Sequence, residues 1–173
     1  MKRLAMVIAL LGTSLVGATA AAGNVPVYGY TVTHTWPHDT HAYTEGLFYL
    51  DGYLYEGTGN VGQSFVRKVD LQSGKVLQQQ ATPGPGFFGE GIVAWKDRLI
   101  ELTWRGQQGF VFDLATLKPL ARFSYPGEGW GLTSDGTHLL MSDGTPTLRL
   151  LDPETLQQVG HIDVTADVDD LGA

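Results

Sequence analysis

Glu90 lies in the run Phe87-Phe88-Gly89-Glu90-Gly91, one carboxylate between two glycines and behind two aromatic rings. Rings beside a carboxyl exclude water from it. Lost hydration disfavours the charged form and raises the pKa towards neutrality, where one group can both take and give a proton. The flanking glycines would allow positive φ and the close approach of a ligand. A second carboxylate, Glu101, and the indole of Trp104 follow after one strand length, in Glu101-Leu102-Thr103-Trp104-Arg105. The plainer reading of the stretch is a tight turn in a β-sheet whose acid is solvated.

Other groups offer less. His34, His38 and His41 have a spacing that invites a metal reading, but Pro37 breaks any helix and no fourth ligand is evident, so they read as a surface loop. Gly84-Pro85-Gly86 lacks the Lys-Ser/Thr ending of a phosphate loop, and Gly62-Gln63-Ser64-Phe65 lacks the second glycine of a nucleophile elbow. Asp70, Asp113 and Asp152 are placed to cap turns through backbone N–H groups. Tyr28, Tyr30, Trp36 and Trp95 read as packing residues. Acids and carbonyls near a channel could hold calcium, but the sequence requires neither metal nor cofactor.

Strands must position these groups. From about Val25 no window keeps a 3.6-residue apolar period for three turns. Short β-branched and aromatic runs alternate instead with turn dipeptides: Asp51-Gly52, Ser73-Gly74, Asp135-Gly136 and Asp143-Gly144. Three segments share one order. They open at Glu45-Gly46-Leu47, Glu90-Gly91-Ile92 and Trp130-Gly131-Leu132, and each third run ends in Asp70, Asp113 or Asp152. A four-strand unit repeating every ~40 residues is the signature of a β-propeller blade. The expected fold is therefore all-β: about three propeller blades plus a leading strand over residues 28–34, in one domain over 23–173. A closed propeller needs at least four blades, so the domain is expected to be incomplete at its C-terminus.

Residues 1–22 read as a secretory signal peptide. Met1-Lys2-Arg3 is basic, residues 4–16 are apolar, and Ala18-Thr19-Ala20 and Ala20-Ala21-Ala22 fit small-residue cleavage sites. The expected location is periplasmic or secreted, with no membrane contact after cleavage. Losing Lys2 and Arg3, and no acid, takes the formal charge from −7 to −9. That balance argues against nucleic acid and anionic membrane surfaces as partners. The chain has no cysteine, so packing alone must hold the exported fold.

Several motifs in order resemble the plant-type glutaminyl-peptide cyclotransferases, which bacteria also carry. They are Tyr43-Thr44-Glu45-Gly46-Leu47, Glu56-Gly57-Thr58-Gly59, Phe88-Gly89-Glu90-Gly91, Leu102-Thr103-Trp104, Gly127-Glu128-Gly129-Trp130-Gly131-Leu132-Thr133 and Met141-Ser142-Asp143-Gly144-Thr145. The resemblance implies a five-bladed propeller that converts N-terminal glutamine of peptides to pyroglutamate, releasing ammonia, with no cofactor. It implies Glu90 as general acid/base and Glu45 as the group that binds the α-amino group. Trp104, Trp130 and Phe88 would be pocket walls. The family continues with an Asn-Glu-Leu motif, a further channel tryptophan and a late lysine that this sequence does not contain. Two other readings therefore stand beside the enzyme: a non-catalytic propeller binding peptides or proteins, and an inactive fragment.

Overall fold

The computed structural model describes residues 26–165. The leader expected over 1–22 and the chain's last residues lie outside them. Among the described residues there is no helix, and twelve strands form three antiparallel sheets. The first holds β1 (Thr44–Leu50), β2 (Tyr53–Thr58), β3 (Phe65–Asp70) and β4 (Val76–Ala81). The second holds β5 (Gly89–Trp95), β6 (Arg98–Thr103), β7 (Gln108–Asp113) and β8 (Pro119–Ser124). The third holds β9 (Leu132–Ser134), β10 (Leu139–Met141), β11 (Thr147–Leu151) and β12 (Gln158–Asp163). Strand order within each sheet follows chain order, as in a propeller blade.

The turns explain why the chain reverses where it does. Leu50 pairs with Tyr53, leaving Asp51 and Gly52 as a two-residue turn at φ of 50° and 89°. Positive φ at both positions gives the turn whose twist matches the strands it joins. An acid at the end of the third strand of every sheet, or just past it, caps the next turn. Asp70 Oδ1 accepts the Ser73 N–H at 2.9 Å, Asp113 Oδ1 that of Thr116 at 2.7 Å, and Asp152 Oδ1 that of Thr155 at 2.7 Å.

The core lies in two seams between sheets. Tyr55, Val66, Ile92, Leu99, Phe110 and Phe112 fill the seam between the first and second sheets. Ile100, Leu102, Val111, Leu139, Met141 and Leu151 fill that between the second and third. The middle sheet is thus covered on both faces, and Gly-Phe-Val-Phe of β7 reads as a continuous apolar run instead of an alternation. Truncating Phe112, which is fully buried, to alanine would cost about 3–5 kcal/mol.

The first strands stand side by side, β1 against β5 and β5 against β9. Gly91 allows this approach. It donates its N–H to Trp130 O at 2.8 Å, and a Cβ there would lie 2.4 Å from the same oxygen. Gly46 does likewise, where a Cβ would lie 2.7 Å from Ile92 N. Gly89 and Gly91 do not have positive φ. What crowds them is neighbouring protein backbone and side chain, which corrects the expectation that they serve an unusual φ and a ligand.

The leading strand expected over 28–34 is not formed. Residues 26–39 carry no strand, and Tyr28 and Tyr30 are 84% and 92% exposed, so neither packs. Strand propensity does not suffice without a partner edge to satisfy the backbone. The next residues strap across the first sheet instead. Asp39 accepts from Arg67 Nη1 at 3.1 Å, and His38 Nε2 lies 2.9 Å from the buried Glu56 carboxylate.

Candidate active site

Glu45 and Glu90 occupy matching positions in the first strands of their sheets, and each falls where the ladder register shifts: between Thr44 and Gly46, and between Gly89 and Ile92. Such bulges turn a side chain out of the simple up-and-down alternation. The third equivalent position is Trp130, just before β9. Its N–H donates to Ser142 O at 2.9 Å and its carbonyl receives Gly91. All three side chains reach one cleft of about 350 Å³, lined also by Tyr43, Phe88 and Trp104.

The five residues singled out in the sequence therefore come together. Phe88 stands edge-on to Tyr43 and to Trp104, with ring centroids 5.9 and 5.8 Å apart. Trp104 follows β6 and is tied back by its N–H to Phe88 O at 3.0 Å. Glu101 is separated from them. It is fully buried, and its carboxyl accepts the Thr82 hydroxyl at 2.9 Å. Its other oxygen has no partner among the described residues.

Electrostatics distinguish the acids. Burial, then the charges of Glu45 and Glu128, raise Glu90 to about 7. Burial also raises Glu45. Glu101, sealed from water, is raised to about 8. Glu128 goes the other way, held below the usual carboxylate range by hydrogen bonds from Trp130, Arg105 and Trp104. Tyr43 and Glu128 were given no role from the sequence. The only signal for Glu128 was its Gly-Glu-Gly setting, the same as that of Glu90.

Among the described residues no three His, Cys, Asp or Glu side chains are grouped as a metal site. His34 stacks on Trp36 with ring centroids 5.4 Å apart, while His38 is engaged with Glu56.

A family model described as glutamine cyclotransferase matches residues 5–172. The chain belongs to the glutamine cyclotransferase family. It is 41% identical over 128 residues to a glutaminyl-peptide cyclotransferase of Arabidopsis thaliana, covering 73% of this chain and 40% of that protein. The crystal structure of Myxococcus xanthus glutaminyl cyclase superposes with a TM-score of 0.68 at 31% identity, covering 75% of this chain and 54% of that one. The WD40 domain of Neurospora crassa Pan2 superposes at 0.58 with 10% identity, covering 69% and 36%, and shares the fold alone. The chain thus spans about half, or less, of the length of the cyclotransferase relatives it matches.

Proposed function

We propose that the cleft cyclises the N-terminal glutamine of peptides to pyroglutamate with release of ammonia. The observation that carries the reading is Glu90: a carboxyl held near pKa 7 among aromatic rings, in a chain of this family. The uncharged α-amine attacks the side-chain amide carbon and a new C–N bond forms. The Glu90 carboxylate takes the proton shed by the attacking nitrogen. As a carboxylic acid it gives that proton to the amide nitrogen, the old C–N bond breaks, and ammonia leaves with the carboxylate restored. A pKa near the working pH allows both transfers. Both reacting groups sit in one substrate residue, so the walls need only hold the folded-back conformation and exclude water.

Glu45 binds the α-amino group, and Phe88, Trp104 and Trp130 clamp the glutamine. The product has no basic amine, so its attraction to the carboxylates falls away and it departs. The basic leader over residues 1–22 supports export, to the periplasm or outside the cell.

The test is ammonia release from a short Gln-initiated peptide, with Glu90→Gln alongside. The variant should lose at least about 100-fold in rate while keeping its fold. Undiminished release by a folded Glu90→Gln protein would refute the role of Glu90.

A further inference from the structure

We infer that Glu128 is a positioning residue of the cleft, holding the indoles of Trp104 and Trp130 at one fixed spacing through a single carboxylate. The inference rests on reading the cleft as the substrate site. Glu128 lies on the connection between β8 and β9. Its Oε2 accepts from Trp104 Nε1 at 2.6 Å and from Trp130 Nε1 at 2.9 Å. Its Oε1 accepts from Arg105 Nε at 3.0 Å, and the Arg105 guanidinium lies 3.9 Å above the Trp104 ring. Both oxygens are occupied, and Glu128 is not among the residues lining the cleft. Its hold on the position of a substrate therefore passes through the tryptophans, while its charge is also felt by Glu90.

The two walls need such a link because they belong to different sheets. Trp104 follows the second strand of the middle sheet, and Trp130 precedes the first strand of the next. Backbone bonds place their Cα atoms: Gly129 N donates to Trp104 O at 2.9 Å, and Trp130 N to Ser142 O. Backbone bonds do not set a ring's rotation about χ1 and χ2. Trp130 is 45% exposed, and Glu128 is the acceptor found for its indole N–H among the described residues.

A glutamine would serve poorly here. Turning its carbonyl to the indoles sets its NH₂ against Arg105, two donors facing each other; the opposite rotamer sets NH₂ against both indole N–H groups. Charge is therefore part of the function, because hydrogen bonds to an ionised acceptor are about twice as strong as neutral ones.

The experiment compares Glu128→Gln, Glu128→Ala and Arg105→Gln in the otherwise intact chain. Arg105→Gln removes the ion pair and leaves both indole bonds. Two readouts are used: acrylamide quenching of tryptophan emission without substrate, and KM against kcat for a Gln-initiated peptide. Both Glu128 variants should show stronger quenching than the parent and than Arg105→Gln, which uncovers one face of the Trp104 ring but leaves both indole bonds. KM should rise about tenfold in Glu128→Ala, the loss of one or two charge-assisted hydrogen bonds, with kcat less affected.

Quenching like the parent's in Glu128→Gln overturns the inference, as does equal loosening in Arg105→Gln. Should Glu128→Ala fail to fold, the near-isosteric Glu128→Gln decides. Should the parent release no ammonia, the cyclisation reading fails, and quenching still decides the part played by Glu128.

Discussion

Glu90 and Glu101 are both carboxyls that burial has made weak acids, yet their surroundings give them different consequences. Glu90 opens on the cleft with Glu45 beside it, and like charge is one cause of its raised pKa. Glu45→Gln removes that charge and lowers the Glu90 pKa. The acid limb of kcat/KM reflects both the peptide's own α-ammonium and Glu90, near pH 7 in the parent, and the Glu90 contribution should then lie at lower pH. An unmoved limb would show that Glu90 does not govern it. Glu101 touches no cleft and bears on stability instead. Its folded pKa is about 8 against an ordinary 4.5. Between those values the unfolded chain has released a proton that the folded one keeps, so stability falls as pH rises across that window. Below about 4.5 the penalty vanishes. Glu101→Gln cannot ionise, so the melting-temperature difference between variant and parent should shift in the variant's favour from pH 5 to pH 8. A constant difference would mean that Glu101 is already ionised in the fold.

At the scale of elements, the seams depend on how closely the first strands approach. Gly91→Ala would set a methyl 2.4 Å from Trp130 O and 2.6 Å from Leu132 N, both backbone atoms that cannot swing aside. Urea unfolding should show a loss of about 1–3 kcal/mol, the usual range for overpacking. An unchanged midpoint would place the strands further apart than described here. Much of this level was legible in the sequence. The three-fold recurrence of Gly-apolar, paired strands and a terminal Asp marked the sheets, because blade turns use local chemistry that repeats. The site was legible where it reused the repeat, at Glu45, Glu90 and Trp130. Other features were hidden. Residues 28–34 have strand propensity but pair with no strand among the described residues, a fact about the fold and not the segment. Glu101 resembles Glu90 on paper and is told apart only by which sheet face it takes. Glu128 works through indole N–H groups brought to it by two other elements.

At the scale of the molecule, a formal charge of −7 and the carboxylates at the cleft act together on anything approaching. Peptides with lysine after the N-terminal glutamine should be processed with higher kcat/KM than those with glutamate at low ionic strength. The advantage should shrink as salt shortens the Debye length to about 8 Å at physiological strength. A preference indifferent to salt would place its origin in direct contacts instead. The repeat has a last consequence. Each blade presents one side chain to the cleft from the same place in its sequence, the residue preceding Gly46, Gly91 or Gly131. The glycine that follows carries the demands of seam packing at the first two, while the side chain before it faces the cleft. Inheritance can therefore act on the two separately. Descendants that keep Glu90 can vary Glu45 or Trp130, and so acquire new tastes in substrate, without renegotiating how the blades hold together.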